Sequence, residues 1–192
     1  GNVLSEDNHI YFYSEVSKKT IYELIREIRF VTQKMLGIGK KFNIDPPKIY
    51  LHINSYGGSI FAAMAAIDII IDNPVDIYTI VEGCAASAGT LISVVGKKRF
   101  IRKHAHMLIH QLSTTFWGKM QEFEDEMDNL KRLMTLIKNI YDDYTTVPKR
   151  KLDEILKHDL WWKSKKCFKY GLVDKVIKNS WELYEENVKN KF

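Results

Sequence analysis

The residues of this chain best suited to chemistry gather in two small-residue turns and at one strand end. The first turn, Asn54-Ser55-Tyr56-Gly57-Gly58-Ser59, lies between two apolar runs. Its two glycines permit positive φ and leave backbone N–H groups uncovered beside a helix start. Such a turn either cradles an anion, whether a phosphate or a developing oxyanion, or is a plain tight turn. The second turn is Gly83-Cys84-Ala85-Ala86-Ser87-Ala88-Gly89. Here Ser87 sits at a strand-to-helix corner among residues too small to shield it. That position suits a nucleophile, with the Ala88 N–H facing the same carbonyl oxygen. The match to G-x-S-x-G is partial, because Ala85 stands where the first glycine belongs. The bland alternative is Ser87 as a simple helix N-cap.

A serine nucleophile needs a base, and six histidines are available. His104, His106 and His110 lie close together in sequence, but no carboxylate accompanies them and strand alternation does not converge their rings, so no metal site is expected. His110 follows the apolar strand Met107 to Ile109. Catalytic groups of α/β proteins gather at such carboxyl-terminal strand ends. The carboxylate that orients His110 is one of Asp142, Asp143, Asp153 and Asp159. Asp159 stands out because it precedes the aromatic run Leu160-Trp161-Trp162, where a partly buried carboxylate would need a partner.

The elements that must position these groups follow from patterning. Ile10 to Tyr13 reads as a strand, and Thr20 with Glu23 as a capping box opening a helix that runs to about Met35, ended by Gly37 and Gly39. Ile49 to Ile53 is a strand, Ile60 to Ile71 a helix stopped by Asn73–Pro74, and Val75 to Val81 a strand. A short helix covers Thr90 to Val95. Repeated strand, glycine-rich turn and helix units predict an α/β fold with a largely parallel sheet. A long helix is expected over 117–145. Its apolar seam of Met120, Phe123, Met127, Leu130, Met134, Ile137, Tyr141 and Tyr144 fits either its own core or a partner subunit. Leu152 to Leu156 is a short helix and Leu160 to Trp162 a short strand. Ser164 caps a helix stopped by Gly171, Val173 to Ile177 closes the sheet, and residues 178–192 form a tail.

At 192 residues the chain fits a single domain, 1–192. Its 29 basic and 24 acidic residues give a net charge of +5, but they are interspersed, which argues against nucleic acid as a partner. Two cysteines without CxxC spacing predict free thiols in a reducing compartment. The longest apolar run, Ile60 to Ile71, is broken by Asp68 and too short to span a bilayer. The start, Gly1 to Asn8, carries no targeting signal. A cytoplasmic location without membrane attachment is expected.

Four segments together resemble the Clp protease proteolytic subunit. They are Ile53-Asn54-Ser55-Tyr56-Gly57-Gly58-Ser59, Gly83 to Gly89, Met107-Leu108-Ile109-His110-Gln111, and His158-Asp159 leading to Tyr170-Gly171-Leu172-Val173-Asp174. They occur in the family's order, with 23 residues from Ser87 to His110 and 49 from His110 to Asp159. The resemblance implies a Clp/crotonase-type α/β fold built of β-β-α and β-α crossover units with a long projecting handle helix. It implies Ser87 as nucleophile, His110 as general base and Asp159 as the orienting carboxylate. It implies Gly58 and Ala88 as the backbone donors of an oxyanion hole. It further implies a homo-oligomer of stacked heptameric rings, a tetradecamer, that cuts unfolded polypeptides in a chamber without a cofactor. A Clp-type ATPase unfoldase is the implied partner, although few residues precede Ile10 to form the family's N-terminal docking loops. Tyr56, Ala88 and Leu112 replace a family Pro, Met and Pro. His158 replaces an Arg, which implies pH-sensitive assembly or activity. Two alternatives are a non-catalytic structural subunit of such a ring and an enoyl-CoA hydratase-like enzyme on the same fold.

Overall fold

The computed structural model describes residues 2–113 and 115–184. Strand alternation divides the apolar side chains between two faces of one sheet. On β3 (Ile49–Ser55), Ile49, Leu51 and Ile53 enter the main core, while Tyr50 enters a smaller cluster on the opposite face. The same split recurs on β4 (Ile77–Ala86) and β5 (Arg99–Arg102), where Val81 and Ile101 face the main core and Ile80 and Phe100 the smaller one.

The remaining strands among the described residues are β1 (Asn2–Glu6), β2 (His9–Tyr13), β6 (His106–Leu108), β7 (Trp162–Lys163) and β8 (Lys175–Ile177). Their order is β1-β2-β3-β4-β5-β8, with β6 branching from β4 and carrying β7. β1–β2 and β6–β7 are antiparallel; the other pairs are parallel. Helices α1 (Lys18–Phe42), α2 (Ile60–Asp72) and α3 (Ala88–Val94) make the crossovers that parallel neighbours require. The expected α/β class with a largely parallel sheet is what the chain adopts.

Several boundaries differ from expectation, each for a local reason. Helix α1 is capped by Ser17, whose hydroxyl accepts from Thr20 N–H while Thr20 Oγ1 accepts from Ser17 N–H. The box is thus Ser17–Thr20 rather than Thr20–Glu23. The helix also runs through Gly37 and Gly39 to Phe42, where Asn43 in the left-handed region (φ 51°) ends it. Gly39 lies tightly against the Ile44 carbonyl and Pro46, and Lys40 and Lys41 complement the helix C-terminus. These contacts outweigh a glycine cost of about 1 kcal/mol per residue. β4 extends past Val81 to Ala86. β1 and β5 are strands that the pattern missed. Ser164 opens α6 (Ser164–Lys169) but does not cap it; its hydroxyl donates to the Lys103 carbonyl. Gly171, at φ 68°, is the expected stop.

The long helix is α4 (Met120–Tyr144), with Glu122 accepting from the Lys119 N–H at its start. Its apolar seam divides. Ile137, Ile140 and Tyr141 are buried in the main core, whereas Met120, Phe123 and Met127 are exposed. The C-terminal half therefore packs on the domain, and the N-terminal half presents an apolar surface. The two glycines of α1 offer a direct test of packing against propensity. Gly37 has open space where a Cβ would stand, while a Cβ on Gly39 would come within 3.0 Å of the Ile44 carbonyl oxygen. In denaturant titrations Gly37→Ala should stabilise by about 0.5–1 kcal/mol. Gly39→Ala should gain nothing or lose stability.

Candidate active site

The site is built where β4 forks. Its first half, Thr79 to Val81, pairs with β5, and its last residues, Cys84 to Ala86, pair with β6. Gly83 lies between the two halves at φ 71°, a conformation that costs a residue with a Cβ but not glycine. A side chain there would also strike the Asn54 amide. The chain then leaves the sheet at Ser87, which adopts φ 56° and ψ −118°. A non-glycine residue in that region stores strain of roughly 1–3 kcal/mol, which surrounding contacts must hold.

Those contacts are specific. Ser87 N–H donates to the Leu108 carbonyl at 3.0 Å. The fully buried Thr90 hydroxyl lies 2.9 Å from the Ala85 carbonyl oxygen and 3.0 Å from that of Leu108, sharing its one proton between them. Gly57 packs so closely that a Cβ there would lie 2.9 Å from the Ser87 Cβ and 2.6 Å from the Ala86 carbonyl oxygen. The Ser87 side chain makes no capping hydrogen bond. The simple N-cap is therefore not what Ser87 does, and its hydroxyl is left available at a half-buried corner.

The first turn is held from both sides. Val16 N–H donates to the Gly57 carbonyl at 2.8 Å, and Ser59 N–H donates to the Val16 carbonyl at 2.7 Å. The buried Ser55 hydroxyl accepts from Gly57 N–H at 3.1 Å. Gly58, at φ 146°, could not carry a side chain, because a Cβ would fall 2.2 Å from the Val16 carbonyl oxygen. Among the described residues neither the Gly58 nor the Ala88 N–H donates a hydrogen bond. Ala88 is the first residue of α3, where an N–H has no partner within its helix.

His110 stands two residues beyond β6 and is half-buried. Its Nδ1 lies 2.8 Å from the Gln111 carbonyl oxygen. A carbonyl only accepts, so Nδ1 carries the proton, and the neutral ring keeps a lone pair on Nε2. The following segment is anchored by Gln111 N–H to the Leu156 carbonyl and by Leu112 N–H to Met134 Sδ. Asp159 is exposed rather than partly buried, because it sits in the loop between α5 (Lys149–Leu156) and β7. Among the described residues its carboxylate takes no hydrogen bond or ion pair. In this conformation, then, no hydrogen bond links Ser87 to His110 or His110 to Asp159. An edge-on contact between Tyr56 and Trp161, with centroids 6.5 Å apart, lays the segment after Asp159 against the turn that carries Gly58. His158, next to Asp159, is exposed.

The other candidate nucleophiles are poor ones. Burial pushes the Cys84 thiol up and the Cys167 thiol up to about 12, so neither is a thiolate at neutral pH. Among the described residues no three His, Cys, Asp or Glu side chains are grouped to hold a metal. Thr90 and Ser55 are the supporting residues that patterning passed over. Thr90 carried a usable signal, as one of two hydroxyl residues, with Ser93, in a short helix of otherwise apolar residues. Ser55 carried none beyond its place in the turn.

The sheet thus carries a serine at a strained strand-to-helix corner of an α/β protein, and among the described residues the Gly58 and Ala88 N–H groups donate no hydrogen bond. Comparison with known proteins narrows the class. The Clp protease family model matches residues 2–180. The chain is 33% identical over 136 residues to the ATP-dependent Clp protease proteolytic subunit of Streptococcus mutans, covering 69% of each chain. It is 31% identical over 179 residues to ATP-dependent Clp protease proteolytic subunit 2 of Treponema denticola, covering 92% of this chain and 85% of that one. The chain belongs to the Clp protease family, whose members are serine-type peptidases.

The Thr90 pin can be tested on its own. Thr90→Val should destabilise by roughly 1–3 kcal/mol in urea titrations, because buried carbonyls lose a donor. Thr90→Ser should retain most of that stability.

Proposed function

We propose that this chain is a serine endopeptidase subunit whose nucleophile, base and orienting acid are Ser87, His110 and Asp159, with the Gly58 and Ala88 N–H groups as oxyanion hole. The observation that carries this reading is the Ser87 corner: a positive-φ serine whose hydroxyl makes no capping bond, near two backbone N–H groups that donate no hydrogen bond among the described residues. Ser87 Oγ attacks the scissile carbonyl while His110 Nε2 takes its proton, and the developing oxyanion is met by the two N–H groups. His110 then returns the proton to the leaving amine, and water repeats the sequence to free the acyl group. Productive alignment requires the His110 Nδ1–H to exchange the Gln111 carbonyl for Asp159, so the conformation described here is a resting one. No cofactor enters this reaction.

In the same reading the exposed seam of Met120, Phe123 and Met127 on α4 packs against another copy, joining stacked heptameric rings around a chamber for unfolded polypeptides. The apolar character of that half-helix supports it. The names of the two relatives support an ATP-dependent unfoldase as partner. The two free thiols support a reducing, cytoplasmic setting. Among the described residues no helix is long and apolar enough to cross a membrane.

A fluorophosphonate probe followed by mass spectrometry is expected to label Ser87, with labelling abolished in Ser87→Ala. Asp159→Asn should reduce kcat for peptide hydrolysis by about 10⁴-fold, through the wrong histidine tautomer. An assembled oligomer that neither labels nor cleaves peptide would instead favour a resting state awaiting its partner or a structural ring subunit.

A further inference from the structure

A second polar constellation lies on the smaller face of the sheet and involves no residue of the proposed active site. Glu82 of β4 is its hub. Its Oε1 accepts from Tyr13 Oη at 2.7 Å and lies 3.0 Å from His52 Nδ1; its Oε2 accepts from Arg102 Nε at 3.2 Å. His52 Nε2 lies 2.8 Å from His9 Nδ1, and His9 Nε2 lies 2.7 Å from Tyr184 Oη. Arg102 Nη2 reaches Ser180 Oγ at 3.0 Å. Two arms from one carboxylate thus hold both ends of the Ser180–Tyr184 segment, which contains the 3₁₀ turn Ser180–Leu183. Under that segment lie Tyr50, Ile80, Phe100 and Ile177, packed with Leu183.

The protons of the long arm can be counted. Glu82 as carboxylate only accepts, so His52 Nδ1 carries a proton. With both rings neutral, His9 Nδ1–H donates to His52 Nε2, and the Tyr184 hydroxyl donates to His9 Nε2. With one added proton, the direction reverses: His52 Nε2–H donates to His9 Nδ1, and His9 Nε2–H donates to the tyrosine oxygen. Every contact survives in both states. A second added proton puts N–H against N–H across 2.8 Å, and the contact must break.

We propose that Glu82, His52 and His9 form an acid-released clasp that holds Tyr184 and its 3₁₀ turn over the sheet face and lets go when both imidazoles are charged. The groups facing the pair and its hub are Asp7 from the β1–β2 hairpin, Tyr11 and Tyr13 from β2, Tyr50 from β3, Glu82 from β4, Arg102 from β5, and Tyr184. Burial of Glu82 pushes its pKa up, but hydrogen bonds from His52, Tyr13 and Arg102 outweigh this and hold it at about 2. The hub thus stays a carboxylate through the histidine range. Burial, and then the neighbouring His52, lower the pKa of His9 from its ordinary 6.5. A histidine with a lowered folded pKa contributes stability above its unfolded value, and that contribution is lost as pH falls through the folded one. Release of the Tyr184 end therefore belongs below pH 6.5, while Arg102 still holds Ser180 and the Tyr50 hydroxyl still donates to the Leu183 carbonyl.

Hydrogen exchange of the intact protein at about pH 7.5 and about pH 5 reads the clasp directly, once rates are corrected for intrinsic pH dependence. Protection of the Leu183 and Tyr184 amides should fall about tenfold in acid while helix α1 stays protected. In His9→Gln, whose amide bridges the same two partners without titrating, that step should vanish. Tyr184→Phe should show the acid level of protection already at the higher pH. Unchanged protection in the wild type, a step that persists in His9→Gln, or a loss spread through α1 would each overturn the clasp.

Discussion

Everything at the candidate site depends on the fork in β4. A parallel strand normally keeps the same neighbours along its length, but this one exchanges β5 for β6 within a few residues. The exchange is possible because Gly83 adopts a conformation that costs a residue with a side chain, and here such a side chain would also strike Asn54. Its consequence is that Ser87 is delivered not to the strand's original neighbour but beside β6, whose Leu108 carbonyl accepts from the Ser87 N–H. One carbonyl, one buried hydroxyl and the close-packed Gly57 of a separate turn then hold a serine in a strained conformation. The strain persists because so many contacts fix it at once.

The two faces of the sheet are used differently. The helix-covered face is dry and aliphatic, with Ile49, Leu51 and Ile53 fully buried. It supplies the rigidity that a strained corner requires. The other face carries aromatic rings and a hydrogen-bonded chain of ionisable groups, with Tyr11 stacked on His52 at 4.4 Å and His9 on Tyr50 at 5.0 Å. Buried polar groups are tolerable only when each is satisfied, and here Glu82 achieves this with three donors. The ionisable groups of this network are thus confined to one face of the sheet.

Much of the fold was legible because apolar periodicity reports burial directly. The helix of α2 and the strand β3 fall almost where patterning places them, as does the Gly57–Gly58 turn, whereas of the second predicted turn Gly83 to Ala86 belong to β4 and Ala88–Gly89 to α3. The errors share a cause. Gly37 and Gly39 read as a helix stop, yet Gly39 is packed against Pro46, and a residue's neighbours decide whether its propensity matters. Asp159 read as partly buried from the aromatic run beside it, but Trp161 is itself partly exposed and leaves the carboxylate in solvent. β5 is too short and too charged, with an arginine at each end, to show a strand period.

The sequence by itself determined the residue types at the site and the order in which they arrive. Glycines, alanines and one serine at a strand-to-helix junction restrict local backbone geometry, and local geometry is written in neighbouring residues. What only the tertiary structure decided was which partner each group meets. The Ser87 hydroxyl is free of a cap, the His110 Nδ1–H is held by the carbonyl next door, and His9, His52 and Glu82 form one chain although 73 residues separate its ends. Such pairings depend on strand register, and register is set by the simultaneous packing of every strand and helix in the domain rather than by any one segment.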